Sequence, residues 1–438
     1  MDRLITRRKF LLAAAGALGV PFVTAPRRAE SRVEPVPAKT LSADDLVNRI
    51  GVNLHFSFTG WVPEYDQNVG EIISLMQAAN IWWARDHAYY EPGHPNDAER
   101  SARFKALQAA GIKLCFIKDD RLAGNDPHTA AKIDYVQDLS NNAAGYFEGT
   151  NEPDMEPGWT RSKIVAKQKA LFNAVNASSH PSIPVLGPSI VWKASAQKIG
   201  TAFANYCDRG NMHPYQQDAR PSLDTDDLRA RLRAVQNMTP GKPLVNTEVG
   251  YGTDAVDSIR VNENVQSKYT LRALFLSLYD AGFERVFLYE MVDESIRLSG
   301  REAHLGLVRA DMSPKPVYTS IKRLTQILAE AGVGTFTPQP LGYFLSGAIS
   351  DVKRYELQKS TGVNYLVLCR DVSSWDIAAN TEIINPSATV TLNLTRPASR
   401  VVVHDPHASA TPISEMVGPI STVNLAVPDT PLVIEVFA

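Results

Sequence analysis

Short runs of consecutive apolar residues alternate along this chain with longer stretches in which apolar residues recur every three or four positions. Strand candidates, most of them built on such runs, fall at 50–55, 81–85, 112–117, 145–151, 184–188, 211–215, 244–248 and 285–289. Such runs, bounded by turn formers, are the pattern of parallel strands buried on both faces. Helical periodicity follows most of them, at 70–79, 97–110, 129–139, 161–176, 194–206, 225–236, 261–281 and 316–331. Several of these stretches stop at a glycine, as in Ala110-Gly111 and Ala281-Gly282, which relieves the left-handed turn that ends a helix. Eight strand–helix repeats within 44–333 predict an α/β fold of the (β/α)8 TIM barrel type. The rival, a doubly wound open sheet, needs a glycine-rich phosphate loop after its first strand. Asn53-Leu54-His55-Phe56 provides none.

The texture changes from position 334. Strand-like segments at 342–348, 352–358, 363–369, 388–394, 400–404 and 432–437 succeed one another with no helical period, separated by Pro, Ser, Thr, Asn and Gly. A small antiparallel β-sandwich domain over 334–438 is expected, packed on the barrel and supporting it, with carbohydrate binding as the alternative role.

The first residues are not part of the fold. Thr6-Arg7-Arg8-Lys9-Phe10-Leu11 looks like a twin-arginine export signal, with Val23-Thr24-Ala25 as a small-residue cleavage site. The apolar stretch 11–23 is shorter than the roughly 20 residues of a membrane span. We therefore expect a signal peptide at 1–29, a linker at 30–43, and the bacterial twin-arginine machinery as a partner. The processed protein would be periplasmic or secreted, with no stable membrane span. A net charge of −2 gives no electrostatic case for nucleic acid or an anionic membrane. Cys115, Cys207 and Cys369 are scattered, without a CxxC or a Cys/His cluster, so neither a disulfide framework nor a structural zinc site is indicated.

Function in a barrel sits at the C-terminal ends of its strands. Those ends carry His55, Arg85-Asp86-His87, Lys118-Asp119-Asp120, Asn151-Glu152, His213-Pro214-Tyr215, Glu248 and Tyr289-Glu290. So many polar groups following apolar strands are not explained by core packing, because burying unpaired charge is costly. Two of the runs, Gly149-Thr150-Asn151-Glu152-Pro153-Asp154 and Asn246-Thr247-Glu248-Val249-Gly250-Tyr251, place a glutamate where a strand gives way to a loop, 248 − 152 = 96 positions apart. Paired carboxylates are what glycoside hydrolysis needs, one to donate a proton and one to act as nucleophile or base. A Glu-Pro pair alone often does no more than end a strand; the second glutamate and the barrel pattern give this one its meaning.

With these runs in these places, the chain resembles the clan GH-A retaining glycoside hydrolases. It is most similar to glycoside hydrolase family 39, with family 5 as the competitor. The resemblance implies that Glu152 is the acid/base and Glu248 the nucleophile. It implies that Arg85, His213 and Tyr215 support the nucleophile and that Asn151 binds the sugar 2-hydroxyl. The plainer alternative for Arg85 is a structural salt bridge to Asp86 or Asp119. Many clan members have a tryptophan at the end of the eighth strand as a floor for the sugar. Here the segment is Phe287-Leu288-Tyr289-Glu290-Met291, so either Tyr289 substitutes or the platform comes from elsewhere. Glu290, with Asp293 and Glu294, and His55 on the first strand complete the candidates for sugar contacts. Loop aromatics Trp61, Tyr89, Tyr90, Trp159 and Trp192 are candidates for stacking on sugar rings. The implied activity is hydrolysis of O-glycosidic bonds in a poly- or oligosaccharide, such as an exopolysaccharide, by double displacement. It requires neither a metal nor an organic cofactor. The alternative is a non-catalytic polysaccharide-binding barrel in an export or assembly system.

Overall fold

The computed structural model describes residues 39–88, 93–118, 128–253, 259–295, 300–332 and 334–437. The expected signal peptide, most of the linker, and Tyr89, Tyr90, Asp119 and Asp120 lie outside these residues.

A short strand, β1 (Thr40–Ser42), precedes eight parallel strands. These are β2 (Ile50–Asn53), β3 (Trp83–His87), β4 (Lys113–Ile117), β5 (Ala144–Glu148), β6 (Val185–Leu186), β7 (Gly210–Met212), β8 (Leu244–Val249) and β9 (Arg285–Leu288). They pair in the order β6-β5-β4-β3-β2-β9-β8-β7. Parallel bridges between Leu186 and Arg209 and between Ile190 and Met212 join the two ends of that order. The sheet closes into a (β/α)8 barrel, as the alternation of patterns predicts. Most strands stop a few residues earlier than the sequence pattern suggests, which leaves Asn151, Glu152, Tyr215 and Tyr289 in the loops above them. No helix among the described residues is long and apolar enough to cross a membrane.

Inside the barrel, side chains two residues apart on a strand share a face and stack in layers. Cys115, Tyr146, Leu186, Val245 and Phe287, with Trp83 against them, form an apolar floor. Gly51 and Gly145 make room for it: a Cβ at either position would lie 2.5 Å from the Phe287 ring or 2.4 Å from the Trp83 ring. One step further along the same strands come Arg85, Glu148 and Thr247, so the polar layer sits directly on the apolar one.

The C-terminal domain comprises β10 (Tyr343–Gly347), β11 (Val352–Gln358), β12 (Asn364–Arg370), the small hairpin β13 (Trp375–Asp376) and β14 (Thr381–Glu382), β15 (Ala388–His404), β16 (Ser414–Val427) and β17 (Leu432–Phe437). Segments 388–394 and 400–404, expected as two strands, are one strand that shifts register between Asn393 and Arg400. Its first part pairs with β10 and its second with β17. Its partner β16 was not expected, because Gly418-Pro419 interrupts it and most of its residues are exposed. These two long strands cross from one layer to the other, and Leu345, Leu392, Leu425, Leu368 and Ile434 pack between the layers. The unexpected β1 emerges from the linker to pair in parallel with β11.

The opposite face of β11 and β12 covers barrel helices. Tyr355, Leu357, Tyr365 and Val367 belong to the same apolar core as the barrel, and Tyr355 stacks on Phe275 at 4.9 Å. Asp371 ties the two units further, accepting from Arg272 at 3.2 Å and Arg220 at 3.1 Å.

Candidate active site

Alternation along β3 turns Arg85 into the barrel and Asp86 to the other face. Asp86 accepts from the Ser57 hydroxyl at 2.6 Å and the His87 backbone at 2.7 Å. Burial pushes its pKa up to about 6, with His55 nearby acting against the rise. It takes no part in holding Arg85. The buried guanidinium donates to Glu148 through Nε (2.5 Å) and Nη2 (2.8 Å), to Glu248 Oε1 through Nη1 (2.7 Å), and to the side-chain oxygens of Asn53 and Asn151 (2.8 Å each). Burial works against its charge, but the carboxylates of Glu148 and Glu248 outweigh that and lift its pKa further. Arg85 therefore reaches the nucleophile candidate as the resemblance implies, while its tightest partner is one the sequence reading did not single out.

That partner, Glu148, also accepts from Asn211 Nδ2 at 2.8 Å. It was legible in principle. A carboxylate on the inward face of the buried run Tyr146-Phe147-Glu148 needs a buried cation, and Arg85 occupies the matching position on β3. Asn53, Asn211 and Thr247 were hidden more thoroughly, because a neutral amide or hydroxyl within a strand announces no partner.

Glu152 follows β5 with a left-handed backbone, φ 42°, a conformation that costs a non-glycine residue roughly 1–2 kcal/mol. Its N–H donates to Ser189 Oγ at 2.9 Å, and its carboxylate pairs with His213 Nδ1 at 2.7 Å. His213 Nε2 meets Thr247 Oγ1 at 2.9 Å, and its Nδ1 is 3.5 Å from Glu248 Oε2. Tyr215 donates to that same Glu248 oxygen at 3.0 Å. Of the two residues after β7 expected to support the nucleophile candidate, Tyr215 contacts Glu248 directly, whereas the closer partner of His213 is Glu152. Burial lowers the His213 pKa, but the Glu248 and Glu152 carboxylates overcome this, and the net shift is upward. Arg231 fixes the loop above β7 by donating to the backbone oxygens of His213 (3.0 Å) and Tyr215 (3.1 Å).

One donor atom each from Glu152, His213 and Glu248 lie within 4.8 Å of one another, which brings the two carboxylates together. They open on a cleft of about 460 Å3. Met155, Val191 and Trp192 wall it on the β5–β6 side, and Tyr289, Arg301 and Glu302 on the β9 side. Tyr289 thus takes the place where a tryptophan was looked for.

His55 and Glu290 stand behind Tyr289. His55 Nε2 lies 3.3 Å from the Tyr289 hydroxyl, 3.0 Å from Glu290 and 3.5 Å from Glu294. Tyr65 donates to Glu290 at 3.0 Å. Both carboxylates are fully buried, so Glu290, expected to contact the sugar, does not line the cleft and instead meets His55 and Tyr65. Asp293 pairs with Lys315 at 2.7 Å, a structural bridge from the β9 loop to the last barrel helix. His55, Glu290 and Glu294 form a second group with donor atoms close enough to share a cation. Among the loop aromatics, Trp192 lines the cleft and Trp61 is 63% exposed beside Phe58. Trp159 packs against the core beneath Lys167.

No protein-family model matches the chain, and no curated protein matches its sequence. Solved structures do match. A family 39 glycoside hydrolase from the gut symbiont Bacteroides cellulosilyticus WH2 superposes with a TM-score of 0.61 at 15% identity, covering 92% of this chain and 83% of that one. A glucosidase from Croceicoccus marinus gives 0.62 at 14% identity, covering 91% of this chain and 97% of that one. A family 39 enzyme from Xanthomonas axonopodis pv. citri gives 0.60 at 14% identity, with 91% and 96% covered. The chain has their fold. That shared fold is the barrel and the β domain together, since 91–92% of this chain takes part in each superposition.

Proposed function

We propose that the protein is a retaining glycoside hydrolase acting on a poly- or oligosaccharide outside the cytoplasm. The observation that carries this reading is the approach of the Glu152 and Glu248 oxygens, within 4.8 Å above one cleft. Two carboxylates close together over one cleft are what glycoside hydrolysis needs, one to donate a proton and one to attack or act as base. Glu152 protonates the glycosidic oxygen as Glu248 attacks the anomeric carbon; the C–O bond breaks and a glycosyl ester of Glu248 forms. Glu152 then takes a proton from water, whose oxygen displaces Glu248. Arg85 and Tyr215 hold the attacking carboxylate in line. Negative charge on Glu248 favours a proton nearby in the first step, and its loss in the ester favours a basic carboxylate in the second. Asn151, oriented by Arg85, takes the sugar 2-hydroxyl. That two of the proteins sharing the fold are family 39 enzymes and one a glucosidase supports the same reading. The Arg7-Arg8 pair supports export by the twin-arginine route, which suits a polymer such as an exopolysaccharide.

A panel of 4-nitrophenyl glycosides tests the activity, and proton NMR of the first-formed sugar tests the stereochemistry. Net retention of anomeric configuration is expected. An inverted product would dismiss double displacement, and no hydrolysis on any glycan would favour a carbohydrate-binding barrel.

A further inference from the structure

The wall of the cleft nearest Glu152 is apolar and is built from the residues that immediately follow it. Pro153–Met155 form a single 3-10 turn, which places Met155, 43% exposed, on the cleft. Between Glu152 and Met155, Asp154 turns the other way. It accepts the backbone N–H groups of Val191 (3.2 Å) and Trp192 (2.9 Å), fixing the β6 loop against the β5 loop. The Trp192 indole N–H then donates to Met155 Sδ at 3.0 Å. With its N–H engaged, the indole has only carbon left to offer a ligand. Half-buried Trp192 and exposed Met155 thus put apolar surface on the cleft wall beside the candidate proton donor.

We propose that Trp192, with Met155 and Val191, is the leaving-group subsite, a platform for the C–H face of the pyranose that departs with the glycosidic oxygen. This rests on the reading of Glu152 as proton donor. The oxygen that Glu152 protonates belongs to the departing sugar, so that sugar lies on the donor's side of the scissile bond. The donor's side is the β5–β6 side, where the platform stands. Tyr289 and the β9 loop, across the cleft beyond Glu248, are left to the sugar that becomes esterified. Because Asp154 is two residues from Glu152, donor and platform move as one unit, which keeps the leaving oxygen in register with its proton. The ligand class is a sugar in glycosidic linkage rather than a charged aglycone, and the protein would prefer substrates with a ring beyond the cleaved bond.

The test compares a leaving group that reaches Trp192 with one that cannot. β-Glucosyl, β-xylosyl, β-galactosyl and β-mannosyl fluorides lose only fluoride; the matching 4-linked disaccharides lose a pyranose. For the glycosyl unit that the unmodified protein turns over fastest, the ratio of kcat/KM for disaccharide to that for fluoride is measured in Trp192→Ala and Trp192→Phe. The ratio should fall about tenfold in the alanine variant, the upper end of what an aromatic contact contributes, and recover most of that in the phenylalanine variant. A variant that merely folds poorly loses both activities together, so an unchanged ratio overturns the subsite and leaves the glycosidase reading standing. Failure of the unmodified protein to hydrolyse any of the fluorides overturns the reading beneath it.

Discussion

Glu148→Gln is the substitution that most sharply tests how the floor of the site is held. The change keeps the shape of the side chain and removes its charge. Three N–H groups converge on the Glu148 carboxylate, Arg85 Nε at 2.5 Å, Arg85 Nη2 at 2.8 Å and Asn211 Nδ2 at 2.8 Å. All of them donate, so an acceptor-only carboxylate fits, while the amide nitrogen of glutamine would face at least one of these donors and lose its hydrogen bond. Removing one partner of a buried ion pair costs about 3–5 kcal/mol. Glu248 remains beside Arg85 at 2.7 Å, so the lower end applies, about 3 kcal/mol, out of the roughly 5–15 kcal/mol that holds a protein folded. Urea unfolding of the two proteins at pH 7, followed by tryptophan fluorescence and circular dichroism together, measures the difference. The same change removes one of the two hydrogen bonds by which Glu148 anchors Arg85, so kcat/KM should fall by about a hundredfold, the scale of a 1 Å misplacement at a reacting centre. Unfolding free energies within about 0.5 kcal/mol of each other, the range of an ordinary surface change, would refute this account of the polar layer.

The His213 pKa is raised in the folded protein, so its contribution to stability is full below its unfolded value of about 6.5 and is lost as pH rises through the folded value. The stability gap between the unmodified protein and His213→Asn should therefore narrow above about pH 6.5; a gap independent of pH would contradict the assignment. Asp371→Ala removes the acceptor that Arg272 and Arg220 share at the domain boundary and should destabilise by about 3 kcal/mol, because it strands a buried guanidinium. Unchanged thermal unfolding would argue against the β domain as a support. Replacing Arg7 and Arg8 with lysines should trap folded protein in the cytoplasm of a bacterial host, and unchanged export would assign the chain to another pathway.

The sequence showed most where one physical requirement dominates. Parallel strands buried on both faces favour continuous apolar runs, and segments such as 112–117 and 285–289 stood out by that criterion, whereas Asn211-Met212-His213-Pro214-Tyr215 did not; the carboxylates and Arg85 stood out at the strand ends. It showed least where the requirement is shared between distant segments. In β16 exposed residues alternate about Gly418-Pro419, and nothing local reveals that the strand will pair with β15 along most of its length. The turn of His213 toward Glu152 is set by the Thr247 hydroxyl on one side and Arg231 on the other, contacts that no spacing encodes. Glu290 misled for the opposite reason. It is adjacent to Tyr289 in sequence and both side chains meet His55, but only Tyr289 also lines the cleft, whereas Glu290 is fully buried with Tyr65.

The division of labour between the two glutamates is the central claim, and azide rescue tests it most directly. With a dinitrophenyl glycoside the leaving group needs little protonation, so Glu152→Ala should form the glycosyl-enzyme and accumulate it. Added azide, which needs no general base, should restore turnover and yield a glycosyl azide of retained configuration, whereas Glu248→Ala should give the inverted azide or none. Retained azide from Glu248→Ala and inverted azide from Glu152→Ala would mean that the two roles are exchanged.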